Sequence, residues 1–210
     1  YLWIKDVSSK SVKESIRNGE KSYKRFFKGI SKFPKFKNKT DTSVKMYLPK
    51  NNKTDWTVER HRVKIPTLGF VKLKEFGYIP IDSKVKSGTV SRIADRYFVS
   101  ILVEEELIKK QRNKMSEGVG VDLGIKEFAI CSDGNVYKNI NKTKKIKHIE
   151  KKLRREQRAF SRKLLNKKKG GETADKNIEK NKLRIQRLHM SLTNKRKEYV
   201  RYVVNSIVKA

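Results

Sequence analysis

Positive charge, and where it lies along the chain, constrains this sequence more than any other property. Lys and Arg number 54 against 22 Asp and Glu, a formal surplus of +32 over 210 residues. Like charge at that density repels itself in any compact state unless a polyanion neutralises it. Nucleic acid is therefore the first partner to consider, and an anionic membrane surface the second. A hydrophobic content of 36% still allows modest cores, which sets the chain apart from disordered polycations.

Several classes fall away. No apolar run approaches the ~18 residues a membrane-crossing helix needs. The basic segments also lack the Trp- and Leu-rich face of interfacial helices, so a membrane role ranks last. One cysteine, Cys131, excludes a disulfide framework and any zinc site built within this chain. No secretory apolar core precedes the first charges, and the expected compartment is the cytoplasm. The sequon-like triplets at Asn38, Asn52 and Asn141 read as chance in an Asn-, Lys- and Thr-rich chain. The first residue is Tyr1 rather than Met, as expected of a fragment or a processed segment.

Residues 1–30 carry Val12, Ile16, Tyr23, Phe26, Phe27 and Ile30 at helical spacings, with Gly29 in the last turn. From Lys21 to Lys39 there are eight basic residues and no acid, interleaved with Tyr23, Phe26, Phe27, Phe33 and Phe36. Cations that meet phosphates beside rings that stack on bases are what a nucleic-acid groove needs. Lys21, Lys24, Arg25, Lys28 and Lys32 are candidates for such contacts. Phe26 and Phe27 read first as core, while for Lys35, Phe36 and Lys37 the solvated-face and nucleic-acid readings stand side by side.

Between Ser43 and Glu106 the period changes to two. Ser43–Leu48, Thr57–Ile65, Phe70–Lys74, Val85–Ile93 and Tyr97–Val103 read as short strands separated by Pro-, Gly- and Asn-containing turns. Five such strands predict a small antiparallel barrel of the oligonucleotide-binding kind. A polar stretch without periodicity, 104–117, marks a domain boundary. Beyond it Gly118–Ile125 reads as a buried strand, and Phe128–Ser132 and Asn135–Lys138 form a hairpin about Asp133-Gly134. Two helices follow, Lys144 to about Lys167 and Asp175 to Lys209, broken at Gly170-Gly171. Residues 142–170 hold 14 Lys and Arg against two acids. Like charges at i,i+4 destabilise a helix, so phosphate contact by Lys144, Lys145, Lys151, Arg154, Arg155, Arg158 and Arg162 is the favoured reading.

Asp122 stands alone in the apolar run Val119–Ile125. A buried carboxylate needs a partner, so it is either a structural acid paired to a lysine or a ligand for a hard divalent cation. A dinucleotide fold is disfavoured because, with Gly118 as the first position of G-x-G-x-x-G, the sixth is Leu123. The actin-like ATPase start is excluded because Lys126 stands where a Ser or Thr is needed. No nucleophile elbow or P-loop is present, and His61, His148 and His189 are widely separated.

Taken in order, Trp3, Tyr23–Gly29, Phe33–Lys37, Ile65-Pro66 with Leu68-Gly69, Thr89–Arg92, Tyr97–Val103 and Val119–Phe128 with Ser132-Asp133-Gly134 resemble the OrfB/TnpB proteins. These are transposon-encoded, RNA-guided DNA nucleases related to type V CRISPR effectors. The resemblance implies an α+β chain: residues 1–39 as the end of a helical recognition lobe, 40–116 as a wedge-like barrel, and 117–210 as the start of an RNase H-like (RuvC) α/β domain with a long basic helical hairpin. It implies guide RNA and target DNA as partners, no small-molecule cofactor, and Mg²⁺ or Mn²⁺ at a complete nuclease site. It makes Asp122 the first catalytic and metal-binding carboxylate, and adds Arg92 to the nucleic-acid contacts. Family members carry later catalytic acids and a zinc-binding cysteine set that this chain lacks. The expectation is a truncated piece, inactive alone, with a non-catalytic binding module or a decayed transposase remnant as the alternative.

Overall fold

The computed structural model describes residues 2–36, 43–50, 52, 55–81, 83–105, 118–171 and 175–209. Two compact units divide at residues 108 and 109. Among the described residues the architecture is α+β, with three antiparallel three-stranded sheets and three α-helices. None of those helices is long and apolar enough to cross a membrane.

In the first unit a short 3-10 turn, Leu2–Asp6, precedes helix α1, Ser9–Phe27. The helix is thus shorter than the continuous segment expected over 1–30. It is fastened at its start: Ser8 and Ser11 are buried, Ser11 Oγ donates to the Tyr47 carbonyl at 3.3 Å, and Lys10 pairs with Asp55. Strands β1 (Ser43–Pro49), β5 (Lys84–Ile93) and β6 (Arg96–Glu104) form one sheet in the order β1-β5-β6. Strands β2 (Thr57–Val58), β3 (Arg62–Ile65) and β4 (Gly69–Lys72) form another. The segment expected as one strand over Thr57–Ile65 is therefore two, joined by a tight turn in which Glu59 N–H donates to the Arg62 carbonyl at 2.9 Å.

The expected closed barrel is not present among the described residues. No strand ladder joins the two sheets, and β2, β3 and β4 have only two to four residues each, too little to curl around a common axis. The sheets instead share one core, in which Leu48 and Val85 from the first meet Trp56, Val58, Val63 and Ile65. In β3 the period of two is plain, with Val63 and Ile65 buried and Arg62 and Lys64 turned outward.

Trp56 anchors that core. It is 2% exposed, and its indole N–H donates to the Leu48 carbonyl at 3.3 Å. Leu48 pairs across the ladder with Gly88, and the indole lies directly on that glycine. A Cβ at position 88 would stand 2.2 Å from the ring. The glycine is required here by close approach, not by its backbone angles.

In the second unit β7 (Val121–Leu123), β8 (Glu127–Cys131) and β9 (Val136–Lys138) form a sheet in chain order. Helices α2 (Lys144–Lys168) and α3 (Asp175–Lys209) follow as an antiparallel pair. Ile146 and Leu153 of α2 are buried, as are Ile178, Leu192 and Val203 of α3, and Ala129 and Cys131 of β8. Tyr199 fastens α3 to the sheet: its ring lies 5.5 Å from that of Phe128, and its hydroxyl donates to the Lys138 carbonyl. Burial pushes the Cys131 thiol up from its ordinary value, as expected for a packing cysteine.

Gly88→Ala is expected to destabilise the first unit by about 1–3 kcal/mol, through overpacking against the indole. Urea denaturation should show that loss, and adding Trp56→Leu should recover part of it as a non-additive coupling. Purely additive effects would show that the two residues do not meet.

Candidate nucleic-acid interface

Helix α2 sorts its residues by angle. Successive residues turn about 100°, so Leu153 and Arg155 stand on nearly opposite faces. The apolar stripe of Ile146, Ile149, Leu153 and Phe160 turns towards α3, with Leu164 at its exposed end. Away from it run His148, Lys151, Arg155, Arg158 and Arg162 at alternating spacings of three and four. With Lys152 and Arg154 these residues line a groove of about 850 Å³ along the helix. From His148 to Arg162 the stripe extends ~21 Å at 1.5 Å per residue.

The helix's two acids are spent elsewhere. Glu150 takes a hydrogen bond from Arg196 Nη2 at 2.9 Å, and Glu156 takes one from Asn181 Nδ2 at 2.8 Å. Both partners belong to α3, so neither carboxylate serves the outer face. Among the described residues Lys151, Arg154, Arg155, Arg158 and Arg162 make no ion pair with an acid. The first turn adds Lys144 and Lys145 and holds no acid, although the N-terminal end of a helix favours negative charge. Lys144 and Lys145 sit with His148, Ile149 and Lys195 of α3 around a separate hollow.

Two α3 cations escaped the sequence reading. Arg184 and Arg187 share a third hollow with Lys152, Glu156 and Leu188. Their spacing of three was a usable signal, but only the antiparallel pairing of the helices brings them beside Lys152.

The remaining candidates fall in the first unit. Lys21, Lys24, Arg25, Lys28, Lys32 and Lys35 are all exposed, and Lys24 is paired with Glu20 at 2.6 Å. Phe36 is exposed, and Phe27, expected as core, is exposed as well; Phe26 is half-buried. The reason is that α1 docks by its beginning, leaving its last turns uncovered. Lys37 lies outside the described residues. Arg92 is engaged within its own hairpin, where Nε donates to the Ala94 carbonyl at 3.0 Å and the guanidinium lies 5.9 Å from the Tyr97 ring centre.

Asp122 sits in the middle of β7, which pairs on one side only, with β8. The expected burial of this strand is not found: Val121, Asp122 and Leu123 are all exposed. Directly paired residues point to one face, so Asp122 shares its face with Ile130 and, one strand further, Val136, both exposed. The opposite face carries buried Ala129 and Cys131. The carboxylate therefore stands on an open, otherwise apolar sheet face and needs no lysine partner. Asp133 serves its turn, accepting hydrogen bonds from the backbone and side-chain nitrogens of Asn135. Those bonds hold its carboxyl below the usual carboxylate range.

A hard divalent cation takes six or more oxygen ligands, several of them from protein or substrate. Among the described residues no three His, Cys, Asp or Glu side chains group closely enough to hold a metal ion. Asp122 on its own does not fit a complete metal centre.

The model of the OrfB family, described as "Probable transposase", matches residues 98–210. The chain is also 31% identical over 207 residues to "Putative RNA-guided DNA endonuclease InsQ" of Escherichia coli strain K12. That alignment spans 99% of this chain and 47% of the relative, so the chain spans about half the length of the curated protein it matches. The chain belongs to the OrfB/TnpB family of transposon proteins.

With one carboxylate available, Mn²⁺ added to the chain alone should bind in the millimolar range or weaker, as sites with few charged ligands do. Titration followed by electron paramagnetic resonance would check this. Micromolar binding abolished by Asp122→Ala would show a fuller ligand set than the described residues provide.

Proposed function

We propose that this chain binds nucleic acid along the outer face of α2 and serves RNA-guided DNA cleavage, the activity for which the Escherichia coli relative is named. One observation carries the binding reading: both acids of α2 are turned to α3, leaving the stripe from His148 to Arg162 without a neutralising acid among the described residues. Guide RNA and target DNA are the partners, with sequence read by base pairing and the protein supplying backbone contacts. Within this reading residues 1–39 belong to a recognition lobe, 40–116 to a wedge-like domain, and 117–210 to an RNase H-like nuclease domain. Asp122 is then a single oxygen ligand towards Mg²⁺ or Mn²⁺, whose other donors lie outside the described residues. Within this reading the protein works in the cytoplasm.

A second reading, nucleic-acid binding without cleavage, is favoured by one feature. Among the described residues Asp122 belongs to no group of three or more His, Cys, Asp or Glu side chains able to hold a metal ion. Incubation with guide RNA, matched DNA and Mg²⁺ separates the two. Under the first reading this chain alone binds without cutting, and a longer chain that adds the remaining metal donors cuts, with Asp122→Ala abolishing that cutting while affinity stays within about twofold. Under the second the longer chain binds and does not cut.

The binding reading is tested through salt. Each phosphate neutralised contributes roughly −0.9 to the slope of log K against log salt on duplex DNA. Arg155→Gln with Arg158→Gln should weaken binding to all sequences alike and flatten that slope by about 2. An unchanged slope would remove α2 from the interface.

A further inference from the structure

The end of α1 carries a group of rings that the α2 interface does not use. Gly29 adopts φ +69, its N–H donates to the Phe26 carbonyl at 2.8 Å, and Ile30 N–H donates to the Arg25 carbonyl at 3.0 Å. This left-handed closure reverses the chain beyond the helix. Phe33 returns edge-on to Tyr23 at 5.7 Å and to Phe26 at 5.3 Å, and Phe26 lies 5.4 Å from Phe27.

Four rings in mutual contact would ordinarily make a core. Here Phe27 is 80% exposed and Phe33 59%, and Phe36, three residues on, is 96% exposed. Arg25, Lys28, Lys32 and Lys35 alternate with them, all exposed, and no acid occurs from 21 to 36. The charge selects the occupant. Lysine is depleted at the centres of protein–protein interfaces, whereas rings interleaved with cations match a strand that offers a flat base and a phosphate at every step. Bases in a duplex already stack on each other, so only unpaired bases have faces to offer. Phenylalanine has no polar handle, so base identity would not be read.

We propose that Phe27, Phe33 and Phe36 form a stacking platform for unpaired bases of an RNA strand, whose phosphates meet Arg25, Lys28, Lys32 and Lys35. The inference rests on the function proposed above only for the choice of RNA. Edge-to-face packing of Phe33 on Tyr23 and Phe26 holds its plane before binding, which lowers the ordering cost on association.

The experiment uses the whole chain and a short single-stranded RNA carrying 2-aminopurine, whose fluorescence is quenched by stacking, with a fully paired duplex of the same sequence as comparison. Quenching is expected on the single strand. Phe36→Ala and Phe27→Ala should each weaken single-strand affinity by roughly 5-fold or more and relieve the quench, with duplex affinity held within about twofold. Phe36→Trp should restore both. Equal losses on duplex and single strand, or unchanged quenching in the alanine variants, would overturn the platform. Quenching with single-stranded DNA and none with RNA would overturn the choice of strand. Both phenylalanines are largely exposed, so neither truncation threatens folding. The Arg155→Gln, Arg158→Gln variant keeps the two proposals apart: its failure to weaken duplex binding removes the α2 reading and leaves the platform standing.

Discussion

Fourteen cations and two carboxylates between residues 142 and 170 leave the second unit few ways to close. Each like-charged i,i+4 pair on α2, such as Lys151 with Arg155 or Arg154 with Arg158, costs the helix a few tenths of a kcal/mol. The helix persists because its opposite face is occupied. Ile146 and Leu153 are buried, and Glu150 and Glu156 reach Arg196 and Asn181 on α3. Those two contacts set the register of the helix pair and also withdraw both carboxylates from the outer face. The contacts that tie the helix pair together therefore also leave the outer face cationic.

The first unit solves a different problem, that of making a core from short strands. Its two sheets hold three strands each and meet over Trp56, whose indole reaches the Leu48 carbonyl and rests on Gly88. The ring fills the space that a longer, curled ladder would have enclosed. Helix α1 is tied on by Ser11 and Lys10 at its beginning, and its aromatic end is left open. An exposed aromatic surface so rich in cations is poorly suited to a dry protein interface and well suited to stacked bases between phosphates.

Much of this was legible in residue order. Helices α2 and α3 lie within a residue or two of where a 3.6-residue period and Gly170-Gly171 place them, because long amphipathic helices repeat their pattern many times. The strands from Ser43 to Glu104 were visible through their period of two and their turns. The barrel is absent among the described residues, because alternation shows which residues face inward and says nothing of which edges pair. Phe27 was misread as core for a related reason: periodicity identifies an apolar stripe, and only the docking of α1 shows that nothing in the described structure covers it. Arg184 and Arg187 join Lys152 across a helix pair, a contact between segments about thirty residues apart.

The sequence by itself determined the charge and the family: a surplus of +32 favours a polyanionic partner, and the ordered motifs from Trp3 to Gly134 lead to the OrfB/TnpB proteins. Charge and local pattern are additive along a chain, so they survive reading in one dimension. Tertiary structure decided where Asp122 and the α2 acids face. Asp122 faces out with Ile130 and Val136 because strand pairing fixes which side of the sheet each residue takes, while buried Ala129 and Cys131 claim the other. Glu150 and Glu156 point at α3 because helix pairing turns them there, and that direction leaves the basic face free to meet phosphate.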